Sequence, residues 1–214
     1  MNLNFFSQHG RLLSFGFIMS LISSFGQTYF ISIFGPEIQN EFGLSHTAWG
    51  TVYLIGTLGS ALLLTYTGSL IDKYELKLYT IVVIIFVAFS CVFIAYVPHV
   101  ILLIFAIFFL RHSGQGLSSH ISSTTMARYF NRKRGTAIAI GSLGISLGEA
   151  ILPFVAVLLI TLIGWRWTYF GASLSLIFFL LPLTLIFLKG YEKKYKIVND
   201  KISDHFSFSK ISNK

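Results

Sequence analysis

A chain of 214 residues in which 54% are hydrophobic and only 11% charged does not have the composition of a water-soluble domain, where about a quarter of the residues carry charge. Its formal charge of +8 does not mark a nucleic-acid binder, because the lysines and arginines fall between and after apolar segments, where they set orientation and meet anionic lipid. The single cysteine, Cys91, excludes an intrachain disulfide and a cysteine metal cluster and reads as a small buried hydrophobe.

Six apolar stretches are each long enough to cross a hydrocarbon core about 30 Å thick. Helix 1 is expected over residues 12–34, too long for a signal-peptide core and without a small-residue cleavage site after it. Its polar side chains, Ser20, Ser23, Ser24 and Gln27, align along one side. Gly35-Pro36 is expected to end it, and Glu37 and Glu41 follow in the connection. Helix 2 (48–71) carries the small residues Gly56, Gly59 and Ser60, and helix 3 (78–97) is followed by Pro98.

Helix 4 (100–126) is the most polar of the six. Arg111, Gln115, Ser118 and Ser122 fall at steps of four, three and four, and so share a face. His112 and His120 lack the four-residue spacing of a helical metal pair, so no metal site is expected. Helix 5 (136–163) aligns Gly141, Gly144 and Gly148, which lets a neighbouring backbone approach closely, and then presents Glu149. Gly164 separates it from helix 6 (167–188), whose start carries Trp165, Arg166, Trp167 and Tyr169, read as aromatic anchors at the membrane interface. Three regions follow: a flank at 1–11, the six-helix domain at 12–188 and a basic tail at 189–214.

Charge placement gives an orientation. Of 16 lysines and arginines, 14 lie in the N-terminal flank, the 2–3 and 4–5 loops or the tail: Arg11, Lys73, Lys77, Arg128, Arg132, Lys133, Arg134 and seven lysines from Lys189 onward. The other two are Arg166, in a loop of the opposite set, and Arg111, within helix 4. The positive-inside rule therefore predicts both termini in the cytoplasm, in a multi-pass protein of the plasma or inner membrane.

Arg111 stands about 25 Å along the helix from Arg128, and Glu149 about 22 Å from Arg134. Helices 4 and 5 run antiparallel, so opposite charges of similar depth are expected to pair, directly or through water. A charge this deep costs at least about 2.5–3.5 kcal/mol to insert and must face protein or a watery cavity. Arg111 and Glu149 are thus the candidate substrate or coupling residues, with Ser24, Gln27 and Gln115 as cavity walls. The bland readings are mutual neutralisation for the charged pair and hydrogen bonding between packed helices for the polar faces.

Three loop-associated segments resemble the major facilitator superfamily. "GSLIDKYELKL" after helix 2 is similar to the pattern G-x-x-x-D-[RK]-x-G-x-[RK]-[RK] through Gly68, Asp72, Lys73 and Lys77, with Glu75 in place of the second glycine and Leu78 in place of the last basic residue. Read on its own, Asp72 would favour the N-terminus of helix 3, and Lys73 and Lys77 would face headgroups. "RHSGQG" resembles the R-x-x-G-x-G segment of helix 4 through Arg111, Gly114 and Gly116. "YFNRKRGTAIAI" and "GWRWTYFGAS" resemble the family's 4–5 loop and its start of helix 6. The resemblance implies an all-α membrane fold, in which two inverted three-helix units form one half of a twelve-helix transporter. The antiporter branch has Gly-Pro at the end of helix 5, whereas here Glu149 follows Gly148 and the proline comes at Pro153.

The function implied is secondary transport of a small solute by alternating access, with a lean to an organic anion from the buried arginine. The partners implied are lipid and either a second six-helix half or a second copy. No cofactor is expected. The alternative is a truncated or split half that serves only as an assembly subunit or remnant. An intramembrane enzyme is remote: no G-x-S-G nucleophile, HExxH site or P-loop occurs.

Overall fold

A computed structural model describes residues 3–191 of the chain, with side chains from residue 9 onward. The expected basic tail lies almost wholly outside the described residues. The described part is all-helical, with six helices long and apolar enough to cross a membrane. They are α1 (His9–Ile33), α2 (His46–Asp72), α3 (Leu76–Ala95), α4 (Val100–Tyr129), α5 (Asn131–Ile163) and α6 (Trp165–Leu188). Every sequence-predicted span is present, with ends shifted by a few residues, and the protein is an integral multi-pass membrane protein.

Connections are short, so the helices alternate in direction. We call the end that carries the N-terminal flank and the α2–α3 and α4–α5 connections the terminal face, and the opposite end the distal face. Glycine makes two of the distal turns. Gly43, at φ 63°, ends a short helix, Gly35–Phe42, and Gly164, at φ 81°, reverses the chain between α5 and α6. The first span ends at Ile33, just before Gly35-Pro36, as expected. Proline is tolerated in a first helical turn, and here it opens the short helix.

Packing between helices follows a two-fold exchange of three-helix units. Besides α4 with α5, whose counterpart α1 with α2 is slight, the main neighbours form a set: α1 with α5 and α4 with α2, α3 with α4 and α6 with α1, and the self-related pairs α1 with α4 and α3 with α6. Swapping α1–α3 for α4–α6 turns this set into itself, which is the mark of an inverted repeat. The exchange puts α1 and α4 at the centre. Large apolar side chains of α2 (Leu58, Leu62) and α5 (Phe154, Leu158) remain exposed.

Close approach at the centre depends on glycine. A Cβ on Gly144 would collide with the Phe17 carbonyl of α1, and one on Gly26 with the Leu110 carbonyl of α4. A Cβ on Gly114 would stand 2.6 Å from the Gly26 nitrogen. Gly141 is looser, with the Ser122 hydroxyl 3.2 Å from its Cβ position, and Gly116 meets Leu64 of α2 at 3.1 Å. Ser122 donates to the Gly16 carbonyl at 2.7 Å and accepts from Ser20 at 2.9 Å, which ties α4 to α1.

Both central helices are irregular at mid-depth. α1 tightens into a 3₁₀ turn at Ser24–Gly26, turns extended at Gln27 (φ −79°, ψ 154°) and resumes as Thr28–Ile33. α4 widens into a π-helical stretch over Arg111–Ser118. Such breaks are tolerated at membrane depth only where protein or a cavity satisfies the freed backbone groups.

Candidate functional site

The break in α1 and the wide turn in α4 face each other through Gly26 and Gly114. The restart of α1 bonds Phe30 and Ile31 to the Gln27 carbonyl, so the Gly26 carbonyl loses its helical partner. Arg111 supplies one: its Nη1 donates to Gly26 O and to Thr28 Oγ1, both at 3.2 Å. Tyr53 of α2 donates its hydroxyl to the same Thr28 Oγ1 at 2.9 Å, and its ring lies 5.5 Å from the Arg111 guanidinium carbon. Arg111 is 8% exposed. Its Nε–H is buried without a partner.

This differs from the expected Arg111–Glu149 pair. Arg111 bonds to α1, and Glu149 makes no ion pair among the described residues and stands exposed on α5. The reason is steric. At this depth α1 lies between α4 and α5, with Gly26 against Gly114 on one side and Ser24 against Gly148 on the other.

A second polar station therefore forms at the α1–α5 crossing. The buried Ser24 hydroxyl abuts Gly148 beside the Tyr29 hydroxyl, and Tyr29 donates to the Ile145 carbonyl at 3.3 Å. Glu149 lies one turn beyond Ile145, within electrostatic reach of the Tyr29 hydroxyl. Pro153 lacks the N–H that would bond the Glu149 carbonyl, so Glu149 presents both a carboxylate and a freed backbone oxygen. Gln27 and Gln115 are half-buried at the break and in the wide turn. Ser118 bonds its own helix, to the Ser113 carbonyl, because the π-helical turn brings that oxygen within 2.9 Å.

The histidines of α4 meet α2. The His112 Nε2 lies 3.1 Å from the Thr67 hydroxyl, and its ring stacks on Phe108 at 5.6 Å. His120 lies beside Gly68.

Asp72 closes a 3₁₀ turn, Gly68–Asp72, several residues before Leu76, where α3 begins, and pairs with Arg128 at the end of α4. Lys73 and Lys77 are exposed beside it on the terminal face. At the distal face, Glu41 pairs with Arg166 at 2.6 Å and accepts from Trp165 Nε1 at 2.8 Å. These hydrogen bonds, Arg166 foremost, hold the Glu41 carboxyl below its ordinary value against a smaller desolvation effect. Here the aromatic-anchor reading fails in part. Trp167 faces outward at 60% exposure, but Trp165 and Tyr169 are buried, Tyr169 completely.

Sequence reasoning missed Tyr53, Thr28 and the role of Gly26. Ser24-Phe25-Gly26-Gln27-Thr28 holds one signal: a glycine between polar residues in mid-span, where a helix is easily interrupted. Nothing in helix 2 alone distinguishes Tyr53 from its aromatic neighbours.

A six-helix membrane bundle built from two exchanged three-helix units, with a buried cation at a broken central helix, has the form of a transporter half. The sequence model of the Major Facilitator Superfamily matches residues 16–213, and the chain belongs to that family. It is also similar to human monocarboxylate transporter 6, with 28% identity over 141 residues. That match covers 65% of this chain and 28% of the human protein.

Proposed function

We propose that this chain is one half of a secondary transporter that moves a small organic anion by alternating access, with Arg111 as its solute-binding residue. The observation that carries this reading is the hydrogen-bond inventory at Arg111. Thr28 Oγ1 accepts from both Arg111 and Tyr53, so its own hydrogen is left to donate. The Arg111 Nε–H has no partner. The Arg111 Nε–H and the Thr28 hydroxyl hydrogen are the donors left over at the station, which suits a group that accepts, such as a carboxylate. A carboxylate there would also satisfy a buried donor that is costly to leave unpaired. The similarity to a protein named a monocarboxylate transporter points the same way.

Glu149 is the coupling residue in this reading. It sits across α1 from Arg111 and presents oxygens where Arg111 presents N–H groups. The terminal face is cytoplasmic, and Lys73 and Lys77 meet anionic headgroups there. The exposed faces of α2 and α5 are covered by a second six-helix half or a second copy, and residues 189–214 begin the connection to it. A second reading, an assembly subunit with no transport of its own, is favoured by one observation: Glu149 and Thr28 are exposed at membrane depth in the single half.

Binding and uptake of radiolabelled lactate and benzoate by the chain in proteoliposomes, with and without a proton gradient, test the reading. Arg111→Gln should abolish saturable binding. Equal binding by Arg111→Gln and the unaltered chain would remove Arg111 from the site. Normal pH-dependent uptake by Glu149→Gln would remove Glu149 from coupling.

A further inference from the structure

Trp165, Arg166 and Tyr169, at the start of α6, have no task in the proposed solute station, yet they grip the segment that carries it. The distal part of α1, Thr28–Ile33, runs through Phe34 directly into the short helix Gly35–Phe42. Tyr169 packs its buried ring against Phe34 at 4.0 Å and Phe30 at 5.9 Å. One turn earlier on α6, Arg166 holds Glu41 at the far end of the same segment. Its Nη2 and Nε donate to Glu41 Oε1 at 2.6 and 3.1 Å, while Trp165 Nε1 donates to Oε2.

Arg166 is itself fixed in place. Its Nη1 donates to the Ala95 carbonyl at 2.6 Å and its Nη2 to the Val97 carbonyl at 3.0 Å, both at the end of α3, and its guanidinium stacks over the Trp165 ring at 4.4 Å. A cation suits that position, since the last carbonyls of α3 lack helical partners.

Beyond the extended residue Gln27, the distal part of α1 has no continuous helical ladder to the rest of α1. Its placement must come from side-chain contacts. We propose that Trp165, Arg166 and Tyr169 are positioning residues that clamp the distal part of the broken α1, through Glu41, Phe30 and Phe34, and thereby set Thr28 against Arg111 and Tyr53. The clamp holds at neutral pH. Its carboxylate partner stays ionised until well into the acid range, because Arg166 and Trp165 stabilise the charged form.

The proposal rests on the reading of Thr28 as part of the solute station only for its functional consequence. Its test reads the position of α1 and needs no solute, so the two can fail separately. Amide hydrogen exchange is followed by mass spectrometry for the full chain in lipid nanodiscs at neutral pH. Glu41→Gln and Arg166→Gln should each speed exchange in residues 28–33 about tenfold, with residues 76–90 unchanged. Tyr169→Phe should leave the protection intact, because the Tyr169 hydroxyl has no partner. Should Arg166→Gln fail to fold, Trp165→Phe removes one hydrogen bond to Glu41 and should give a smaller increase confined to residues 28–33. Unchanged exchange at 28–33, or an equal rise throughout the bundle, overturns the proposal.

Discussion

At the terminal face a carboxylate on the α2–α3 connection, Asp72, meets an arginine at the end of α4, Arg128; at the distal face an arginine at the start of α6, Arg166, meets a carboxylate beyond the end of α1, Glu41. The exchange of three-helix units maps one pair onto the other with the charges reversed. Each pair ties the first helix of one unit to the junction between the second and third helices of the other. Their surroundings differ. Arg128 lies in the last turn of its helix, where the helix dipole favours a cation. Glu41 lies near the end of its short helix and Arg166 near the start of α6, each at the end that its charge disfavours. The distal pair offsets this with hydrogen bonds to Trp165 and to the end of α3.

The largest effect expected comes from the centre that both ends share. Gly144→Val forces a side chain into the Phe17 backbone and should cost about 3 kcal/mol of stability, read from denaturant unfolding in detergent micelles. If that variant unfolds like the unaltered chain, the α1–α5 crossing is looser than described.

Breaking the two pairs measures each directly. Arg166→Gln removes bonds to Glu41, Ala95 and Val97 and should cost about 1–2 kcal/mol, allowing for its partial exposure. Arg128→Gln should cost about 0.5–1 kcal/mol. An Arg166→Gln loss no larger than that of Glu41→Gln in the same unfolding assay would mean that the Arg166 bonds to Ala95 and Val97 contribute nothing.

Acid sharpens the comparison further. Glu41 has its carboxyl lowered on folding, so its contribution is full above the unfolded value of about 4.3 and is lost as pH falls through the lower folded value. Stability from the distal pair should stay level from neutral pH to about 5 and drop only below about 4. Glu41→Gln should remove that acid-side component from thermal unfolding curves in nanodiscs. A drop in the unaltered chain near pH 6 that is absent from Glu41→Gln would contradict the assignment.

The smallest effect concerns which face is which. In a Cys91→Ala background, Asn131→Cys should react with a membrane-impermeant maleimide only from the cytoplasmic side and His46→Cys only from outside, with little change in stability. The reverse pattern would invert the orientation.

Much of the fold was legible in the chain. Six apolar runs, broken near Pro98 and Gly164, located six helices, because spanning length and backbone satisfaction in lipid are local demands. Arg111 and Glu149 were legible as deep charges for the same reason, since cost depends on depth along one helix. Their partners were not. Periodicity put Arg111, Gln115, Ser118 and Ser122 on one regular face, but the π-helical stretch changes the register there.

The sequence by itself determined the number of spans, their alternating course and the identity of the expensive charges at membrane depth, because all of these follow from the transfer of each segment into lipid. Only the tertiary structure decided which groups meet. The break in α1 inserts a bare carbonyl at Gly26 between α4 and α5, and that carbonyl draws Arg111 away from Glu149. Likewise, Trp165 and Tyr169 face inward because Glu41 and Phe34 reach them from a segment more than a hundred residues earlier.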